Sequence, residues 1–309
     1  MSARYLFPVK LLLLSAAAAV SVHAETFTLP PPGVDVVGEI RLVYVAGNED
    51  LLDIMRRHNL GYDEIIHANH GVSRWAPGDG TPVVLPTRYI LPDAPREGIV
   101  LNIPEMRLYY YPPARAGEPR VVITHPVSVG RMDWKTPLGK TTVVRKDVDP
   151  AWYPPATIKK EHAAQGDFLP DVVPPGPDNP LGRYALRLAI DGYLIHGTGT
   201  NKAYGIGMQV THGCIRMYPE DIEQFFQKVP VGASVYFVNQ PVKVGRLHGT
   251  LFLEAHSPLK EDELPNEATL EKALAVVKAK VGPDMAGVDP LAIQLAVEQG
   301  SGVPVTISR

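Results

Sequence analysis

The chain has one cysteine, Cys214, in 309 residues. A single thiol excludes an internal disulfide framework and any metal centre built on several cysteines. It also lacks a basic excess. Thirty Lys and Arg stand against 33 Asp and Glu, for a formal charge of −3. That argues against a nucleic-acid binder, which shows a clear surplus of positive charge. Long apolar runs are missing too, apart from the first two dozen residues. What the chain has in quantity is proline and glycine, 31 and 27 residues. That is above average usage but short of low complexity, and it predicts turns, short strands and long loops in place of a helical bundle. Charge and apolar content are those of a globular protein, long enough for one large domain or two to three small ones.

The apolar opening reads as a secretory signal peptide over residues 1–24. Arg4 and Lys10 make its start positive, and Leu11 to Leu14 with Ala16 to Val20 form an apolar stretch short for a membrane span. Val22-His23-Ala24 fits a small-x-small cleavage site, so the mature chain is expected from Glu25, with net charge −5 once Arg4 and Lys10 are gone. No cysteine adjoins the cleavage point, which excludes a lipoprotein. Export makes Cys214 informative, because an unpaired thiol in an oxidising compartment is either reactive, bridged to another chain, or buried and inert.

Thr28 to Gly38, with three prolines, reads as a linker. A compact unit follows over 38–87. A strand is expected at Ile40–Val45, then a helix capped by Asn48 with Leu51, Ile54 and Met55 on one side. A second helix is expected over Tyr62–Asn69 and a return strand over Pro82–Leu85. Thr87 to Glu97 is a second expected linker. From Gly98 to Asn239 the pattern is β-strands bounded by Pro or Gly. It is interrupted by a long Pro-rich stretch, Pro150 to Pro180, whose length suggests a functional loop such as a lid. Pro219, Glu220 and Asp221 open a short helix. The tail, 240–309, carries a strand at Leu251–Ala255 and helices at Thr269–Val281 and Leu291–Glu298. The last has Asp289 as cap, Pro290 first and Gly300 as stop. The tail is read as packing.

The chemistry concentrates in one segment, which holds His196, Gly197, Thr211, His212, Gly213, Cys214 and Arg216. A free thiol is only a few per cent thiolate at neutral pH, so a nucleophilic cysteine needs a base or positive charge beside it. His212 is two positions from Cys214 and, on a strand, would share its face. His196 is eighteen residues upstream and reaches the sulfur only if the fold brings its strand end alongside. Gly213 frees the backbone to aim N–H groups at an oxyanion. Arg216 is a candidate carboxylate binder or loop-ordering residue. Alternatively, His196, His212 and Cys214 could supply three zinc ligands.

At these residues the sequence resembles the L,D-transpeptidase catalytic (YkuD) family. The signature is a histidine, a mid-teens gap, then Ser/Thr-His-Gly-Cys, a hydrophobe and Arg or Asn. Here it is His196, then Thr211 to Arg216. Pro126–Val143, Trp152–Pro155 and Val172–Gly182 are also family-like. The 38–87 unit, through YVAGNEDLLDIMRRH, IIHAN and VVLP, resembles a LysM module. Together they resemble the periplasmic LysM-containing L,D-transpeptidases of Gram-negative bacteria.

The resemblance implies a mainly β fold: a β-sandwich catalytic domain over 98–239, a small βααβ LysM module before it and a small α/β C-terminal subdomain after it. It implies a cofactor-free, metal-free cysteine acyltransferase acting on peptidoglycan. Cys214 would attack the meso-diaminopimelate carbonyl of a tetrapeptide stem and expel the terminal D-alanine, leaving a thioester. His196 would be the general base, oriented by the backbone at Gly197. His212 would position substrate or help stabilise the oxyanion held by the N–H groups of Gly213 and Cys214. Thr211, Arg216, Trp152 and Tyr153 are candidate substrate contacts, and Arg131 and Lys135 are candidates for stem-peptide carboxylates. LysM would hold the N-acetylglucosamine-containing glycan. The acyl acceptor would be a second stem peptide or an outer-membrane lipoprotein. Local motifs do not separate transfer from hydrolysis by the same cysteine, as in an L,D-carboxypeptidase, and a non-catalytic peptidoglycan-binding protein is a further alternative.

Overall fold

The computed structural model describes residues 24–131 and 134–308. The signal-peptide reading therefore lies, Ala24 apart, outside the described residues. Short elements open the chain: β1 (Glu25–Thr28), β2 (Val36–Gly38), β3 (Arg41–Tyr44), α1 (Leu51–Arg57), α2 (Tyr62–Ala68), β4 (Pro82–Leu85) and β5 (Arg88–Ile90). β3 and β4 pair antiparallel. The two helices bury Leu51, Ile54, Met55 and Ile65 completely against them, which gives the expected β-α-α-β order. The cap of α1 is Asp50, not Asn48. The Asp50 side chain accepts the Asp53 N–H at 2.9 Å, and Asp53 accepts the Asp50 N–H at 3.2 Å. A cap must directly precede the first helical residue to reach its free N–H groups, and Asn48 stands too far back.

The two expected linkers are not loose. β2 and β5, one in each, pair antiparallel from Val36↔Ile90 to Gly38↔Arg88. β1 is the edge strand of the main sheet, with Glu25 opposite Thr124. The prolines punctuate these stretches, while the apolar residues between them are long enough for three- and four-residue strands.

The central part contains β6 (Gly98–Asn102), β7 (Arg107–Tyr111), β8 (Val121–Pro126), β9 (Val129–Gly130), β10 (Gly139–Val148), α3 (Ala156–Ala164), β11 (Tyr184–Leu188), β12 (Leu194–His196), β13 (Gln209–Thr211), β14 (Ile215–Arg216), α4 (Pro219–Lys228) and β15 (Ser234–Val238). Nine strands run β1-β8-β7-β6-β15-β10-β11-β12-β14. β10 turns the corner. Its first residues, Gly139–Thr142, pair with β15, and after a register shift between Val143 and Arg145 it follows β11. Such a shift bends a strand and lets one sheet fold over onto itself. Ile99, Leu101, Leu108, Val235 and Phe237 from one limb meet Val143, Leu186, Ile195 and Ile215 from the other, with Ile222, Phe225 and Phe226 of α4 in the same core. Pro219 is the first residue of α4, with Glu220 and Asp221 in its first turn, as expected.

Residues 150–180 are not all loop, because they carry α3. Of its nine residues only Ile158 is buried, so no apolar stripe announces it in the sequence.

The tail forms β16 (Val242–Leu247), β17 (Thr250–Ala255), α5 (Asn266–Val281), α6 (Pro290–Gln299) and β18 (Val305–Thr306). It has its own core, including Val244, Leu253, Val277, Ile293 and Ile307. Asp289 caps α6 by accepting the N–H groups of Leu291 and Ala292, and Gly300 ends it with φ 53°. Where the tail meets the main sheet lies a buried ionic cluster. Lys243 Nζ is 2.8 Å from Glu105 Oε2 and 2.7 Å from Glu254 Oε1 and donates to Ile90 O at 2.6 Å. His256 Nε2 is 2.6 Å from the same Glu254 oxygen.

Candidate active site

Parallel pairing of β12 with β14 sets Ile195 opposite Ile215 and His196 opposite Arg216. The Met217 N–H donates to His196 O at 2.9 Å. This closes the eighteen-residue gap, since Cys214 immediately precedes β14. Between the two strands the chain passes through a 3₁₀ turn (Thr200–Gly205) and then β13, which pairs with β9.

The segment from His212 to Cys214 is a turn, not a strand. Thr211 Oγ1 donates to Cys214 O at 2.6 Å, and Gly213 has φ 98°. A Cβ at Gly213 would stand 2.9 Å from Tyr193 Cε1. The position thus requires glycine on two counts. The expectation that His212 and Cys214 share a strand face fails for this reason. The Gly213 and Cys214 N–H groups have no acceptor among the described residues.

His196 is 4% exposed. Its Nδ1 lies 2.6 Å from Gly197 O. A carbonyl only accepts, so Nδ1 carries the hydrogen and Nε2 presents its lone pair. Burial, reinforced by the charge of Arg216, pushes the imidazole down to about 3, against the pull of the Gly197 and Leu181 carbonyls. The ring is therefore neutral at physiological pH and available as a base. A Cβ at Gly197 would meet Ile222 Cγ2 at 2.9 Å, so glycine is needed there for close packing.

Cys214 is partly exposed. Its Sγ makes a weak contact to Gly192 O at 3.5 Å, and neither imidazole hydrogen-bonds to it among the described residues. Burial raises the thiol, opposed by the Leu194 N–H and by the charges of Arg216 and Arg187. Burial in turn lowers the Arg216 guanidinium, whose Nε has no partner among the described residues. The raised thiol and the lowered His196 imidazole favour the neutral form of each over a resting ion pair. Iodoacetamide labelling of Cys214 is accordingly expected to titrate at higher pH than free cysteine in the same buffer. Arg216→Gln should move it higher still, by removing a cation that favours thiolate. A midpoint below that of free cysteine would contradict this.

His212 is held elsewhere. Its Nε2 lies 3.1 Å from Glu161 Oε2, contributed by α3, and 3.3 Å from Arg131 Nη2. Arg131 also pairs with Glu161, and Trp134 stands edge-on to the ring at 5.1 Å. Burial lowers the His212 imidazole, against the Glu161 carboxylate. Glu161 was not foreseen, as one acid in a Lys-Lys-Glu-His run has no spacing that singles it out. Arg131, a candidate for substrate carboxylates, is instead paired with a carboxylate of the chain itself. Trp152 pairs with Val173 through two backbone hydrogen bonds of 2.9 and 2.8 Å, and Tyr153 is 71% exposed. No described hydrogen bond joins either to the Cys214 turn. In this structure the ligand atoms of His196, His212 and Cys214 do not converge as a set. Among the described residues the one triplet of potential ligands that converges is Glu105, Glu254 and His256. Lys243 already supplies a cation to both carboxylates there.

Residues 96–244 match the model of the L,D-transpeptidase catalytic domain, YkuD. The probable L,D-transpeptidase YcfS of Escherichia coli K12 is 40% identical over 96% of this chain and 92% of its own length. The chain belongs to the YkuD family of L,D-transpeptidases. The probable L,D-transpeptidase YbiS of the same organism is 39% identical over 96% of this chain and 98% of its own. The probable L,D-transpeptidase ErfK/SrfK of Salmonella typhimurium is 39% identical over 92% of each. The similarity to these three relatives thus extends through the βααβ unit and the tail as well as the main sheet.

Proposed function

We propose that this chain is an exported, periplasmic L,D-transpeptidase that acts on peptidoglycan tetrapeptide stems through Cys214. The observation that carries the reading is the strand pairing that sets His196, whose Nδ1 is bonded to Gly197 O, alongside the strand that begins just after Cys214. Cys214 Sγ attacks the meso-diaminopimelate carbonyl as His196 Nε2 takes the thiol proton. The C–N bond to the terminal D-alanine breaks, and His196 returns the proton to the leaving amine. An acceptor amine then attacks the thioester, and its proton restores the thiol. Because thiol and imidazole both rest neutral, proton transfer accompanies attack.

The free Gly213 and Cys214 N–H groups suit a developing oxyanion. The Nε of Arg216, without a partner among the described residues, suits a substrate carboxylate, with Thr211 holding the turn. His212, fixed by Glu161, lines the approach, and Trp152 and Tyr153 are candidate walls in the segment that carries α3. The βααβ unit is read as a LysM module for the glycan. Trp75 is 61% exposed beyond α2, with the Arg74 guanidinium 5.6 Å from its ring, which suits stacking against a sugar. The acceptor is an amine, of a second stem in 3→3 cross-links or of an outer-membrane lipoprotein.

Tetrapeptide muropeptides incubated with an amine acceptor are expected to give released D-alanine and an acceptor-linked tripeptide by mass spectrometry. Cys214→Ala should give neither. Free tripeptide alone would make the enzyme a hydrolase.

A further inference from the structure

The βααβ unit does not fold around its own residues alone. Its core includes Ala203 and Ile206, from the segment between His196 and Cys214, and Tyr218, just beyond β14. Tyr218 is fully buried, donates to Leu60 O at 2.9 Å, and has the Arg56 guanidinium 4.0 Å from its ring. Arg56 reaches Glu220 at 2.6 Å, and Asn59 Nδ2 donates to Asp221 Oδ1 at 3.0 Å.

The closest approach is backbone on backbone. The Tyr62 N–H donates to Ile206 O at 2.8 Å, and the Asp63 N–H to Gly207 O at 3.1 Å. A Cβ on Gly61 would stand 2.9 Å from Gly207 Cα, and one on Gly207 would stand 2.3 Å from Gly61 Cα. Neither position has room for a side chain. Gly207 is two residues before β13, whose last residue, Thr211, bonds to Cys214 O.

We propose that the start of α2 is a positioning element of the catalytic centre. By holding Ile206 and Gly207 it sets β13 against β9, and through Thr211 it sets the turn that presents Cys214. Gly61 and Tyr62 are then positioning residues for acyl transfer. The unit contributes to turnover of a substrate with no glycan at all. The inference rests on Cys214 being the nucleophile, and it assigns the unit a role separate from wall binding.

The test uses the full chain and a soluble tetrapeptide with an amine acceptor. Gly61 has φ −87°, so Gly61→Ala and Gly61→Val strain no local torsion, and the one overlap a Cβ there makes is with Gly207, its contact with Pro126 being of ordinary length. Both should lower kcat, by about 10- to 100-fold for Val, with KM within about twofold, since small displacements of reacting groups have effects of that size. Retention on isolated sacculi should be unchanged. Tyr218→Phe, which removes one tie without a change of shape, should lower kcat less, again with KM preserved. Native kcat in Gly61→Ala and Tyr218→Phe would overturn the proposal. So would a loss that only tracks the unfolded fraction seen by circular dichroism. A native chain that never turns over the soluble peptide would instead refute the reaction assigned to Cys214, and this inference with it.

Discussion

His196→Ala is expected to slow formation of the thioester by about 10²- to 10⁴-fold, the usual contribution of a positioned general base. The buried ring rests neutral, with Nδ1 bonded to Gly197 O, which leaves the lone pair on Nε2. The thiol is raised by burial and has little tendency to ionise unaided. Removing the base leaves a nucleophile that must lose its proton to water. The effect should appear in single-turnover acylation by a tetrapeptide or a carbapenem, followed by intact-protein mass spectrometry. Added imidazole should restore part of the rate. Cys214→Ala, by contrast, should show no adduct at any time. Acylation of His196→Ala within tenfold of the native rate would remove His196 from the role of base.

Lys243→Ala is expected to destabilise the junction of the tail with the main sheet by about 3–5 kcal/mol, because it strands two buried carboxylates without their shared cation. Glu254 is fully buried, yet Lys243 and His256 together hold its carboxyl below the usual range despite desolvation. Its stabilising share is therefore present above the ordinary carboxylate range and lost as pH falls through the depressed value. In the variant, the same burial without Lys243 pushes the Glu254 carboxyl up, and protonation relieves the penalty. The difference between native and variant should narrow as pH falls. Amide exchange of β16 and β17 reads this locally. A loss under 1 kcal/mol, or a difference that does not change with pH, would show that the cluster contributes little. Lys243→Met should cost less than Lys243→Ala, since it restores volume, but it leaves the same unpaired charges.

How much was legible in the sequence follows from distance along the chain. The cap, first proline and terminal glycine of α6 lie within a dozen residues of one another, and each acts on the backbone next to it, so the helix could be read almost to its ends. The turn at Thr211–Cys214 is equally local, and the motif singles out Cys214 as the proposed nucleophile. The strand reading of His212 failed because one glycine with positive φ reverses where the next side chain points. α3 and the short strands β2 and β5 escaped because each buries too few apolar residues to set up a period.

The sequence by itself determined which groups are candidates for the chemistry: a lone thiol, a histidine ahead of it and a glycine that shapes the turn between them. Only the tertiary structure decided what those groups touch. The pairing of His196 with Arg216 comes from strands that meet across a long excursion. The Glu161 partner of His212 lies 51 residues away, the Glu105 partner of Lys243 lies 138 away, and the seat of Gly207 is on the βααβ unit. Contacts over such separations leave no periodic trace, because the two partners are brought together by the packing of whole elements and not by the residues beside them.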